Sequence, residues 1–424
     1  MKQAALSIDR LREAVERLPK DTLTAMREAA LANIDEHGLP STRDEDWKYT
    51  DLGAAIDISN RWLTSASTIP TNDALQESIE AITTSIDANW LVIANGVIDT
   101  SRFTGSDDID VERFSDSAAP FVMDRPLADL NAALLKDGLR IRLNAATERP
   151  VGMLIIDAAE SDASVSQASI EIEIAPGCDV EIIEYQKSIG SGDHYANSVV
   201  ALNVDQTAVA NYVRIQERRF GHIQTGRLSI AMGKDSRLNM ASFDLGGGLV
   251  RNDVDIDIGE SGADVIFNGL YLAGDGQHID NHTRVDHRVG PATSSQEYRG
   301  ILNGNCRCVW NGKAIVHAGA DGTDANQANH NLLLSDKAEI DAKPELEIYA
   351  DDVKCSHGTT VGQLDEASLF YLRSRGLDKR KATQILVHAF AIGLIGRTPI
   401  SAVGETITSL VESRLMELIQ DVVA

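Results

Sequence analysis

Apolar positions recur at helical spacing near both ends of the chain and at strand spacing between them. Leu6, Leu11, Ala14, Val15 and Leu18 fall on one helical face, and Pro19 closes that segment. A second helix is predicted from about Asp21, with Leu23, Met26, Ala30, Leu31 and Ile34 on its apolar face. It stops at His37-Gly38-Leu39-Pro40, where glycine suits the left-handed position after a helix. Thr64–Thr71 reads as a Ser/Thr-rich linker, Trp90–Ile98 as a hairpin turning at Asn95-Gly96, and Leu127–Leu139 as a helix.

The middle of the chain repeats one unit, a strand, a tight polar turn and another strand: IEIAPGCDVEII, ALNVDQTAVANY, SIAMGKDSRLNM, DIDIGESGADVI and LLLSDKAEIDAK. The residues before the turns, Ala175, Val204, Met232 and Ile258, lie about 26 to 29 residues apart, and Leu334 follows after a gap close to three further repeats. Units of this size, alternating with period 2 and lacking a helical pattern, predict a β-solenoid with Ile, Val, Leu and Ala stacked inside. Its open ends would expose unpaired strand edges, and the flanking helices are expected to cover them. After about Val361 the pattern returns to helix: Asp365–Arg375 ending at Gly376, Asp378 (a candidate N-cap) to about Leu394, and Glu405–Val422. The expected fold class is mainly β. A β-solenoid core over residues 141–361 is flanked by a mostly helical N-terminal region, 1–140, and a helical C-terminal region, 362–424.

Composition narrows the partners. Among 424 residues, 39 Lys and Arg against 64 Asp and Glu leave a net charge of −25, which repels phosphate backbones and anionic headgroups. Nucleic acid and membrane partners are therefore disfavoured. Four cysteines without a C-x-x-C pair are too few for a disulfide scaffold. Charged residues interrupt the apolar positions of the N-terminus, and no apolar run reaches the about 18 residues of a membrane span, so a cytoplasmic protein is expected.

Enzyme signatures are mostly missing. There is no P-loop, G-x-S-x-G elbow or H-E-x-x-H motif, and Gly274-Asp275-Gly276 lacks the third glycine of a dinucleotide fingerprint. His278, His282 and His287 read as structural or surface histidines. Asp253, Asp255, Asp257 and Glu260 read as a solvated strand face rather than a pair of glycosidase acids. Cys306 and Cys308 share a strand face, a spacing open to metal binding but expected of small residues in a solenoid wall. Lys354-Cys355-Ser356-His357-Gly358 stands out at the end of the last strand. There a thiol and an imidazole point the same way and suit iron or a sulfide-bridged cluster, although two ligands do not close such a site. An inward cysteine with a chance histidine neighbour fits the same residues.

The run from Asn329 to Leu377, NHNLLLSDKAEIDAKPELEIYADDVKCSHGTTVGQLDEASLFYLRSRGL, resembles the SufB/SufD family of iron-sulfur cluster assembly proteins, and its SufD branch most closely. Arg43-Asp44-Glu45-Asp46-Trp47-Lys48-Tyr49-Thr50 is similar to that branch's R-x-E-D-W-K-Y-T segment, and Gly358 stands where the sister SufB proteins carry Glu. The resemblance implies a right-handed parallel β-helix between helical regions. It also implies a non-catalytic scaffold that joins a SufB-like sister and a SufC-like ATPase to build nascent clusters and to assist iron acquisition. The ATPase would supply ATP hydrolysis and dock on residues 365–424. Cys355 and His357 match the family's C-S-H-G segment near the sister interface, with His357 as iron or cluster ligand and Cys355 as supporting thiol. The isolated chain is expected to form a homodimer, and a reduced flavin is associated only with the assembled complex, with no residue here assigned to it. Cys306 and Cys308 stand outside the family pattern. A carbohydrate-active β-helix enzyme and a purely structural solenoid are the rival readings.

Overall fold

The computed structural model describes residues 5–65, 73–105, 107–116, 125–160 and 162–420. The chain opens with α1 (Ile8–Glu16), α2 (Thr24–His37), α3 (Gly53–Thr64) and α4 (Asp73–Ser85). The first two follow the apolar stripes, and Gly38 ends α2 with φ 72°, as its position after the helix requires. The other two were not expected. In α3 the buried Ala55, Ile56, Ile58, Ser59 and Leu63 include a small polar residue, which blurs the stripe. Of the expected Thr64–Thr71 linker, Thr64 closes α3 and residues 66–71 lie outside the described residues.

The hairpin forms as its sequence dictates. β1 (Asn89–Ala94) and β2 (Val97–Asp99) pair antiparallel across Asn95 and Gly96, both at positive φ, 50° and 70°. After β3 (Ile109–Arg113), α5 runs Pro126–Leu134 and β4 runs Leu139–Leu143. The expected helix to Leu139 is thus too long. Gly138 lies so close to the Phe114 ring and the Ser169 carbonyl that a Cβ would meet them at 2.4 and 2.9 Å, and the chain there is already extended toward the sheet.

The remaining strands are β5 (Val151–Ala159), β6 (Ala163–Ile174), β7 (Asp179–Gly190), β8 (Asp193–Val204), β9 (Val209–Glu217), β10 (Ile223–Met232), β11 (Arg237–Asp244) and β12 (Leu249–Ile258). They continue as β13 (Asp264–Ala273), β14 (His278–His287), β15 (Thr293–Leu302), β16 (Arg307–Val316), β17 (Asp324–Leu333), β18 (Glu339–Ile348) and β19 (Lys354–Gly362). They wind as a parallel β-solenoid. Each coil gives one strand to a ten-stranded sheet, β2-β1-β5-β7-β9-β11-β13-β15-β17-β19, and one to a nine-stranded sheet, β3-β4-β6-β8-β10-β12-β14-β16-β18.

Aliphatic ladders fill half of the interior. Ile172, Leu202, Ile230, Ile256 and Val285 stand in register, as do Ile174, Val204, Met232 and Ile258. Four of the five repeats seen in sequence are turns from the nine-stranded to the ten-stranded sheet. The fifth is not equivalent, because Leu334 follows β17 of the ten-stranded sheet and its turn leads the opposite way.

The other half of the interior is polar, which the pattern did not reveal. Glu184, Arg214, Ser242, Gly269, Tyr298 and Asn329 form one inward column of the ten-stranded sheet. The groups pair mostly with one another: Tyr212 donates to Glu184 at 2.6 Å, Arg214 to Ser242 at 2.9 Å, and Asn252 to Asp244 at 3.0 Å. Deeper toward the first coils, Arg218 pairs with Asp157 beside His194 and His222.

The helices cover faces rather than ends. α1, α2, α3 and α5 pack with Tyr195 and Ile223 on the outside of the nine-stranded sheet. On the opposite side, α6 (Glu366–Ser374), α7 (Lys379–Ile395) and α8 (Gly404–Gln420) follow β19. α7 and α8 bury Val387, Ala391, Leu394, Ile407 and Val411 against Val213, Ile215, Phe243, Leu270 and Ile301 of the ten-stranded sheet. The expectation that helices close the solenoid ends is corrected: the outward face of these strands is itself apolar and takes the helices. Asp365 and Asp378 cap α6 and α7 by accepting from the Ser368 and Lys381 backbone N–H groups, each at 2.8 Å. The Val422 of the expected last stripe lies outside the described residues.

Candidate functional site

β18 and β19 form the last coil, and among the described residues no strand pairs with the outer edge of either. Cys355 and His357 lie on β19 in register with the buried Ala325 and Gln327 of β17, so both carry the inward parity of the solenoid. No further coil covers them, and His357 is exposed whereas Cys355 is half-buried. Partial burial pushes the Cys355 thiol upward, with the nearby Asp324 carboxylate acting in the same direction. Spaced two residues apart on a strand, the thiol and imidazole are separated by roughly 7 Å along the chain, a span that a bridging cluster or an intervening ion can link. Among the described residues no group of three or more His, Cys, Asp or Glu side chains is placed to hold a metal ion. The pair by itself does not close a metal site. Around it the rim exposes Ile348, Tyr349 and Val361.

The other sequence candidates are not brought to this end coil's open face. Cys306 and Cys308 are both buried, with Cys308 in register between Ile279 and Ile340. A thiol–thiol hydrogen bond lowers Cys306, while burial drives Cys308 strongly upward. Among the histidines, His278 and His282 sit on the outer face, bonded to Thr50 and Asp280 at 2.7 and 3.1 Å, and His287 faces Ser294 inside at 2.9 Å. They form no cluster.

The acidic row is not simply solvated. Asp255 pairs with Arg227 and Asp257 with Arg288, while Arg251, almost wholly buried, bridges Asp253 at 2.7 Å and Asp280 at 2.6 Å. These partners come from neighbouring coils or alternate strand positions, so local composition hides them. The Arg43–Thr50 segment straps this row. Trp47 stacks 4.3 Å from the Arg251 guanidinium, Arg251 donates to the Asp46 carbonyl at 2.9 Å, and Thr50 bonds to Asp280. Burial alone would raise Asp280, yet Arg251 and His282 hold its carboxyl well below the usual range.

One feature of the surface had no counterpart in the sequence reading. Between α7 and α8 runs a groove of about 540 Å³ lined by Ile385, His388, Ile392, Glu412, Leu415 and Met416. Ile385, Ile392 and Met416 are 46, 47 and 51 % exposed, although they repeat at the spacing that marks a buried stripe.

The family description "SUF system FeS cluster assembly, SufBD core domain" matches residues 155–390, and "SufBD protein N-terminal region" matches residues 6–102. The iron-sulfur cluster assembly protein SufD of Escherichia coli K12 is 28 % identical over 364 residues, spanning 84 % of this chain and 85 % of that protein. SufD of Bacillus subtilis 168 is 27 % identical over 76 % of this chain and 74 % of its own length. An iron-sulfur cluster assembly SufBD family protein of Mycobacterium tuberculosis H37Rv is 27 % identical over 90 % and 91 %. The core match takes in most of the solenoid, β19 with Cys355 and His357, and the start of α7, and on that ground the chain belongs to the SufB/SufD family of iron-sulfur cluster assembly proteins.

Proposed function

We propose that the chain is a non-catalytic scaffold subunit that holds one side of a nascent iron-sulfur cluster, its cargo, at the open end of the solenoid. The observation that carries this reading is the placement of Cys355 and His357 on the inward face of an uncovered last coil, where a second solenoid can complete the ligand set. The family's assembly role supports it. A SufB-like sister is the proposed occupant of that end, with a second copy of this chain taking its place when the subunit is isolated. Two free strand edges and the exposed Ile348, Tyr349 and Val361 suit such an end-to-end contact.

A SufC-like ATPase is proposed to dock in the α7–α8 groove. Because Arg299 donates to the Phe390 carbonyl of α7 at 2.7 Å and Arg397 pairs with Glu297 at 2.5 Å, a pull on these helices reaches β15, two strands from β19. Iron acquisition by the assembled complex, a cytoplasmic location and a reduced flavin bound only in the complex belong to the same proposal. No helix among the described residues is long and apolar enough to cross a membrane.

The test is the cluster content of the co-expressed, anaerobically purified complex. His357→Ala is expected to lower iron and acid-labile sulfide while leaving thermal unfolding of the chain unchanged, since His357 is exposed. Cys355→Ser is expected to act in the same direction and more weakly. Unchanged iron and sulfide in the double variant would reduce the chain to a structural solenoid.

A further inference from the structure

At the opposite end of the solenoid, five segments enclose a cavity of about 240 Å³: the end of α1, the end of α3, the β1–β2 turn, the residues after α5, and β6. Its wall is largely apolar, with Leu18, Trp62, Leu63 and Val165, and among the described residues its charged groups are Lys136 and Arg17, the latter also paired with Glu13 at 3.4 Å. In a chain with 64 acidic against 39 basic residues, a cavity whose described lining holds two cations and no carboxylate stands apart from the surrounding surface.

Two features point to a ligand. The Gln167 side chain is 5 % exposed, yet neither its amide oxygen nor its amide nitrogen has a hydrogen-bond partner. A buried amide left unsatisfied is disfavoured, and one that lines a cavity is satisfied by what enters it. Lys136 is the second feature. Its ammonium donates to the Asn95 carbonyl at 3.3 Å, and burial lowers its pKa against the opposing pull of the Asp157 carboxylate, which is itself paired with Arg218. The floor is rigid, because Asn95 accepts from the Ala158 N–H at 2.8 Å and a Cβ on Gly96 would stand 3.1 Å from the Gln167 carbonyl.

We propose that this cavity binds a small organic monoanion, a carboxylate on a compact apolar body. The carboxylate takes the Lys136 ammonium and the Gln167 amide N–H, the apolar body lies against Trp62, Leu18 and Val165, and the Gln167 amide oxygen accepts from a ligand hydroxyl or a bound water. The volume is below the roughly 300 Å³ at which pockets for drug-sized ligands begin, which limits the body to a single ring or a short chain. Because α1, α3, the hairpin and β6 all contribute, an occupant ties the N-terminal helices to the first coils. This site is independent of the cluster ligands.

Benzoate, with benzylamine as its cationic counterpart, tests the site on the full chain by ligand-observed NMR titration and by the shift in thermal midpoint. Saturable benzoate binding with at least tenfold preference over benzylamine is expected. Lys136→Met should weaken benzoate tenfold or more, and the double variant Lys136→Met/Gln167→Glu, which removes the ammonium and places a carboxylate in the cavity, should reverse the preference. The reversal is a gain of binding, so loss of folding cannot produce it. Ile392→Asp, in the distant α7–α8 groove, should leave benzoate binding unchanged. Absence of saturable binding, equal binding of the two probes, or benzoate binding that survives both cavity variants would overturn the proposal, and its loss with Ile392→Asp would move the site to the α7–α8 groove.

Discussion

Buried histidines make this fold sensitive to acid. Burial pushes His222 and His287 down to about 4 and His194 to about 3, against an ordinary value near 6.5. Because the folded values are depressed, the unfolded chain binds more protons between pH 6.5 and 4, and stability present above pH 6.5 is lost as the pH falls through that window. The loss amounts to roughly 3 kcal/mol for a histidine held near 4 rather than 6.5. His287→Asn is expected to flatten the fall in urea midpoint between pH 7 and pH 4.5 relative to the unaltered chain; parallel curves would show that His287 titrates freely in the folded state. Sequence spacing separated these histidines from a metal motif, but it could not distinguish the inward His287 from the outward His278 and His282. That difference depends on which face of β14 joins the aliphatic ladder, and the ladder is assembled from strands about 28 residues apart. The shared face of Cys355 and His357 was legible because they lie on one strand. The Arg251 bridge to Asp280 was not, since its partners sit on successive coils.

Elements with local instructions were readable. The Asp378 cap, the Gly38 and Gly376 stops and the Asn95-Gly96 turn each act within a few residues, and each is where the sequence placed it; Asp365, expected as the first residue of its helix, is that helix's cap. Elements defined by what they pack against were harder, as α3 and the polar interior illustrate. β1 adds a parallel contact to β5 in which Trp90 lies over Gly152, and a Cβ at Gly152 would be 2.4 Å from the indole. Gly152→Ala is therefore expected to destabilise by about 1–3 kcal/mol through displacement of Trp90, visible as a lower urea midpoint and altered tryptophan emission. An unchanged midpoint would mean that the hairpin moves aside freely. On α8 the exposed apolar positions behave differently from the buried ones. Met416→Asp in the groove should leave the thermal midpoint within a few degrees, since Met416 is half exposed, yet abolish co-purification of the ATPase in the proposed complex. Retention of the ATPase would move its docking site off this groove.

At the scale of the whole molecule the two ends of the solenoid are built differently. The first coils terminate in antiparallel partners, β2 on one sheet and β3 on the other, which interrupt the parallel stacking at that end. Among the described residues the last coil has no such ending, and its strands carry free edges together with exposed apolar residues, a combination that natural sheets avoid unless the edge is used. Hydrogen-bond parity identifies which groups it offers. The Lys354 N–H donates to the Thr323 carbonyl at 2.9 Å, so even-numbered residues of β19 face β17, and Cys355, His357, Thr359 and Val361 present their backbone N–H and C=O groups to the open edge. The residues proposed to hold the cluster are thus the same ones whose backbones are free to pair with a second chain, and strand pairing would fix the distance between the two halves of the ligand set. Thr359→Pro removes one outward N–H without touching a bond to β17, and proline is tolerated on an edge strand. The expected outcome is loss of the proposed dimer of the isolated chain and of the proposed association with the sister scaffold, measured by sedimentation, with little change in thermal unfolding. Undiminished association would mean that side chains such as Tyr349 and Val361, rather than strand pairing, join the solenoids, and the cluster geometry would then have to be set by those side chains.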